Sequence, residues 1–210
     1  MVFLCGPALA WSTQQNARAP AIIRGLLAST LFAIGLSWYI YRFGVQHVRW
    51  LDGLPFELSD VSLWLTVIAL LALEQVCFEL AYYWGLSGAS MAMLTPNLTK
   101  PIASFPSVVF LAGHGLLVVS ILYLLSSHQA RPRRNAWLTA FYLLNAYAVF
   151  VGIFDYLAGT NYMYLRHKPA NVSMLDFFGS WPWYVIGGDV AALCIIFVMG
   201  LPFRKGEEES

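Results

Sequence analysis

Residues 104–126 read SFPSVVFLAGHGLLVVSILYLLS. The run contains no Asp, Glu, Lys or Arg and one histidine, His114. Its length meets the ~20 mostly apolar residues that a helix needs to cross a bilayer. It reads as a transmembrane helix, with His114 near its middle between Gly113 and Gly115. Five more runs qualify, near 21–43, 57–73, 76–95, 136–158 and 183–203. Only Leu73-Glu74-Gln75 separates the second run from the third, which predicts a tight helical hairpin. No run alternates apolar and polar residues as the strands of a membrane barrel do. The expected fold is therefore all-α, a polytopic membrane bundle of about six transmembrane helices. Residues 1–20 read as an N-terminal tail with no cleaved signal peptide, 21–203 as the helical domain, and 204–210 as a polar C-terminal tail.

Composition supports this. Of 210 residues, 59% are hydrophobic and 11% charged, against ~25% charged in soluble domains. A net charge of +1 without a basic stripe argues against a nucleic-acid partner. The three cysteines, Cys5, Cys77 and Cys194, are scattered, with neither metal-ligand spacing nor a disulfide framework. No metal or cofactor is expected, and oligomeric state is not readable.

Between the last two runs lies GTNYMYLRHKPANVSMLDFFGSWPW, Gly159 to Trp183. Loops longer than ~12–15 residues are usually functional or disordered, and disordered segments are poor in aromatics. This one is rich in them, so it should be a structured loop. Ser173 and Asp176 fit a capping box before a short helix, and Pro182 suits the first turn of the last span. Cytoplasmic loops are enriched in Lys and Arg, which puts Arg131, Arg133 and Arg134 inside and, with six spans, both termini inside too. The split is then seven basic residues inside to five outside. The loop 44–56, the turn Thr95–Asn97 and the aromatic loop all fall outside. A cell-membrane location with lipid partners follows.

Ionisable groups within spans are costly and suggest function. His114 is the foremost, as a general base or as a histidine bonded between helices. Ser59, in LPFELSD (54–60), is a candidate nucleophile if a base takes its proton; helix capping alone also accounts for Ser59 and Asp60. Asp60 or Glu57 could orient the imidazole. Glu57 and Ser59 could both be used only if the helix starts between them. Asp189 and Asp155 suit proton relay or interhelical bonding, Asp155 lying near the outer end of its span, where contact with water alone also accounts for it; Asn145 suits interhelical bonding. Lys168, with Arg166 and His167, suits an anion clamp or interfacial anchoring.

The motifs LPFELSD, YYWGLSGASMAMLTPNL (82–98), AGHG (112–115) and the aromatic loop resemble those of bacterial YwaF-type integral membrane proteins. The resemblance runs from about Leu54 to Phe203. More remotely, the group is similar to eukaryotic polytopic proteins of lipid metabolism: an ether-phospholipid acyltransferase and androgen-induced hydrolases of fatty-acid esters. The resemblance implies a small nucleophile and a membrane-embedded histidine, here Ser59 and His114. Two residues depart from the pattern. Ser59 stands where the group usually has Cys, and Glu57 where it usually has His. The group also usually begins with one more span.

The expected function is a lipid-directed serine hydrolase or acyltransferase on acyl esters at the membrane interface. The expected catalytic residues are Ser59, His114 and Asp60. The expected substrate-binding residues are Glu57, Asn97, Asn161, Tyr162, Lys168, Asp176, Trp183 and Asp189. The alternatives are a binding or transport protein for a small solute or proton, through His114, Asp155 and Asp189, and a structural subunit recognised through the aromatic loop.

Overall fold

A computed structural model describes residues 2–12, 18–94, 98, 100–169 and 173–204. These form helices α1 (Val2–Ser12), α2 (Ala19–Gly44), α3 (Leu58–Ala72), α4 (Gln75–Leu80), α5 (Ser87–Leu94), α6 (Phe105–Ser126), α7 (Ala136–Ala158) and α8 (Trp183–Gly200). A π-helical stretch, Ala81–Leu86, joins α4 to α5. Among the described residues there is no strand. Among the described residues four helices are long and apolar enough to cross a membrane: α2, α6, α7 and α8 with its extension to Phe203. The 15 residues of α3 fall short of that length. The run expected as a single span over 76–95 is interrupted by the wider π turn.

Helix α6 is apolar all round, the mark of a helix buried in a core. It packs on α1, α2, α3, α5 and the π stretch. Around it, Leu31, Leu70, Phe78, Tyr83, Val118, Ile121, Tyr123 and Leu124 are fully buried. Helices α7 and α8 leave most of their large apolar side chains exposed, which suits a lipid-facing surface.

The N-terminal stretch, expected as a tail, contains a packed helix. A Cβ at Gly6 would lie 2.7 Å from the Leu122 Cβ and 2.8 Å from the Val119 carbonyl oxygen. Only glycine lets the α1 backbone come so close to α6. The hairpin between α3 and α4 forms as expected, with Leu73 in the left-handed region at φ 53°. Glu74 then caps α4 by accepting the Cys77 N–H at 2.7 Å.

At the same end of the bundle, the α6–α7 connection is tied in by ionic groups. Arg133 Nη2 meets Glu79 Oε2 at 2.7 Å, and its Nε donates to Glu79 Oε1 at 2.8 Å. The Glu79 side chain is 2% exposed, so an acid with no evident purpose in the sequence anchors this loop. Arg24 donates to the Leu70 carbonyl at 3.0 Å and to the Gln129 side chain, joining α2, α3 and the same connection.

Candidate functional site

A cavity of about 540 Å³ opens between α2, α3 and α6. Ser59, Asp60 and Glu57 line it from the start of α3, and His114 from α6. Residues 55 positions apart in sequence thus face one space. Helix α3 begins at Leu58 with Glu57 as its N-cap residue. The helix therefore starts between Glu57 and Ser59, and both reach the cavity. Ser59 and Asp60 belong to the first turn and do not cap it.

Helix α2 supplies the opposite wall through Ile34, Trp38 and Arg42, and Gln46 stands just past its end. The spacing of four places the three helical residues on one face. That periodicity, within IGLSWYIYRFGVQ (34–46), was readable in the sequence as a stripe mixing aromatic and polar residues. It went unrecognised because the stripe lies at a span end, where Trp and Arg also serve as interfacial anchors. The Arg42 guanidinium lies 5.9 Å from the Trp38 ring and donates to the Asp52 carbonyl.

The His114 ring is held by a backbone group. Its Nδ1 lies 2.8 Å from the Phe110 carbonyl oxygen. A carbonyl only accepts, so Nδ1 carries a hydrogen and the neutral ring keeps its lone pair on Nε2. The Phe110 carbonyl thus orients the imidazole from its Nδ1 side. The ring also packs on Phe110, with centroids 4.3 Å apart. Phe110 is one turn nearer the start of α6, so the ring folds back towards the end where α3 begins.

Close contacts set the relative levels of the helices. A Cβ at Gly35 would lie 3.1 Å from Leu63 Cδ2, and one at Gly113 would lie 3.4 Å from Ile34 Cγ2. Gly35, Leu63 and Gly113 thus share a level, and Ser59 stands about 6 Å above it at ~1.5 Å per residue. The upward fold of the His114 ring shortens that offset. The first-turn hydrogen bonds of α3 begin with the Asp60 and Val61 N–H groups, both donated to the Glu57 carbonyl at 3.0 and 3.1 Å. The Leu58 and Ser59 N–H groups lie one step before them.

The loop before α3 and the loop after α7 converge above the cavity. The Tyr162 hydroxyl donates to the Leu51 carbonyl at 2.7 Å and accepts the Leu54 N–H at 2.9 Å. Glu57 Oε2 accepts the Met163 N–H at 3.1 Å. Met163 and Tyr164 both have positive φ, 52° and 56°, and Tyr164 lines the cavity. Asp155, expected near water, is fully buried. Its Oδ1 accepts the Thr160 hydroxyl at 2.6 Å and the Tyr162 N–H at 3.0 Å.

Other candidates lie apart from this cavity. Asn161 Oδ1 accepts the N–H groups of Arg166 and His167, both at 3.0 Å, so it shapes the loop. Lys168 Nζ meets Asp176 Oδ1 at 2.9 Å, and Asp176 Oδ2 accepts the Ser173 N–H at 2.8 Å. The latter bond is the carboxylate half of the expected capping box. The Ser173 N–H and then Lys168 hold the Asp176 carboxyl below its ordinary range. Trp183 is 64% exposed and points away from the core. Asp189 accepts the Asn145 side-chain N–H at 3.2 Å across α7 and α8. The three groups on which a solute or proton path would rest, His114, Asp155 and Asp189, are thus in three different places. Asn97 lies outside the described residues, while Leu98 beside it lines the cavity. No group of three or more His, Cys, Asp or Glu that could hold a metal occurs among the described residues.

The fold and this cavity define an α-helical integral membrane protein with a pocket among its helices that carries polar groups at one end. The chain belongs to the TMEM164 family, whose model matches residues 1–200. Residues 1–20 fall inside that match. No curated protein and no solved structure matches the chain.

Proposed function

We propose that this protein is a lipid-directed serine acyl hydrolase or acyltransferase, acting on acyl esters at the membrane interface. The observation that carries the reading is the shared cavity of Ser59 and His114, with the ring tautomer that leaves Nε2 free to accept a proton. In this reading the chain crosses the cell membrane six times. Helix α3 and the run Gln75–Leu94 supply the two crossings beyond the four long helices. Both termini are cytoplasmic, and membrane lipids are the partners and substrates.

The chemistry runs in two steps. The Ser59 hydroxyl passes its proton to His114 Nε2 while Oγ bonds to the ester carbonyl carbon. The negative charge on the carbonyl oxygen is stabilised by the start of α3, where N–H groups and the helix dipole favour an anion. The ester C–O bond breaks, and the leaving alcohol takes the proton back from His114. Water or a lipid hydroxyl then attacks the acyl-serine, again giving its proton to His114, and the serine is restored. The Phe110 carbonyl holds the ring throughout. Asp60, beside Ser59 in the first turn of α3, favours the imidazolium that forms at each step.

Labelling of the purified protein by a fluorophosphonate tests this. The probe should react in wild type and fail in both Ser59→Ala and His114→Ala. Labelling that survives Ser59→Ala would end the proposal.

A further inference from the structure

The cavity has two unlike ends, and from them we infer an acyl-chain subsite whose depth is set by Gly113 and Ile34. The inference rests on the acyl-ester reading of Ser59 and His114. Arg42, Gln46, Glu57, Ser59 and Asp60 stand at the end where α3 begins. Ile34, Gly35, Leu63, Gly113 and Leu117 form the other end, and none of these five carries a polar side chain. An ester whose carbonyl is presented to Ser59 has its alcohol side towards Arg42 and only this apolar end for its acyl chain. Each methylene buried there raises affinity roughly fourfold, for as long as there is room.

The room comes from missing side chains. A Cβ at Gly113 meets only Ile34, at 3.4 Å, an ordinary contact. A larger residue there grows into space that the chain would occupy. Gly115, two residues on, faces elsewhere: its nearest neighbours are Met93 of α5 and Val2 of α1. The two glycines of AGHG therefore have different duties, and Gly113 is the one that bears on specificity. Gly35 is already tight, with Leu63 and Trp64 at 3.1 and 3.2 Å, so substitution there would disturb packing as well as the cavity.

The test compares labelling rates of butyl and dodecyl fluorophosphonates on full-length protein in detergent. Wild type should favour the longer probe. Gly113→Val should lower the long-to-short ratio at least tenfold, Gly113→Ala by less, and Gly113→Val with Ile34→Ala should recover most of it. Ile34→Phe fills the same gap from α2 and should lower the ratio too, which keeps the test valid if Gly113→Val fails to fold. An unchanged ratio in well-behaved variants overturns the subsite. If wild type is unlabelled, or Ser59→Ala still labels, the acyl-ester reading fails. The subsite is then judged by binding of tritiated dodecanoate against butanoate. A preference for dodecanoate that Gly113→Val abolishes supports it, and equal binding in the two proteins overturns it.

Discussion

The loop after α7 and the cavity beneath it hold similar polar groups and employ them differently. In the loop, Asn161 bonds Arg166 and His167, Asp155 bonds Thr160 and Tyr162, Arg166 donates to the Asp155 and Thr160 carbonyls, and Lys168 meets Asp176. In the cavity, Ser59 stands exposed on the wall. Buried polar groups are nearly always paired within a protein. Groups left open around a space suit a ligand, while groups that bond one another build a scaffold. The loop thus frames the site, and the cavity holds its chemistry.

The sharpest way to break this contrast is to remove one group from each region. His114→Ala and Ser59→Ala should reduce fluorophosphonate labelling by at least ~10²-fold, the lower range for a positioned acid–base group. Their melting temperatures should stay near wild type. Asp155→Ala should do the reverse in kind. It strands the Thr160 hydroxyl and the Tyr162 N–H in a buried place, a cost of about 2–6 kcal/mol at the usual penalty for two unmet donors. Thermal melts in detergent, with limited proteolysis between residues 159 and 169, would show it. An Asp155→Ala protein that melts like wild type would mean that the loop is not held as described.

Much of the fold was legible because span length and apolar content are local properties. The hairpin at Leu73–Gln75, the long apolar helices and the short helix after Ser173 all follow from residues close in sequence. The packing of α1 was not legible, since Gly6 has meaning only against Val119 and Leu122 of α6. Glu79 and Arg133 are 54 residues apart, and nothing in either segment points to the other. The role of Asp155 was misread because its partners lie after the helix end. Of the candidate residues, Glu57, Ser59, Asp60 and His114 share the cavity. Asn161, Tyr162, Lys168 and Asp176 are employed in the loop architecture, and Trp183 and Asp189 border other surfaces. Loop residues and cavity residues have the same chemistry, and only the partners they find in three dimensions separate them.

Glu57 belongs to both regions, lining the cavity while accepting the Met163 N–H. Glu57→Gln keeps an acceptor for that N–H and should leave stability within a few tenths of a kcal/mol of wild type. Glu57→Ala removes it and should cost about 1 kcal/mol, the typical net value of such a bond. Measured side by side in thermal melts, equal losses in the two variants would show that the charge, and not the bond to the loop, is what matters at this position.

The smallest expected effect tests the scaffold side alone. Asp176 is exposed, and its carboxyl is held below its ordinary range by the Ser173 N–H and then by Lys168. A carboxyl depressed in the folded state binds its proton more readily once unfolded. Its stabilising contribution is therefore fully present above the unfolded value of ~3.9 and is lost as pH falls through the lower folded value. Amide exchange protection at Phe177, Phe178 and Gly179 should be constant from pH 7 to about 5 and should weaken below about 4. Asp176→Asn should show lower protection at neutral pH and no such acid step. Asp52, held down by its bond to Arg49, titrates in the same window, so the Asn variant is what assigns the step to Asp176. Lys168→Ala should lower protection in the same segment and leave fluorophosphonate labelling within about twofold of wild type. A larger loss of labelling would move Lys168 from the scaffold to the substrate side, because a surface ion pair is worth only ~0–1 kcal/mol and its removal should not disturb a cavity it does not line.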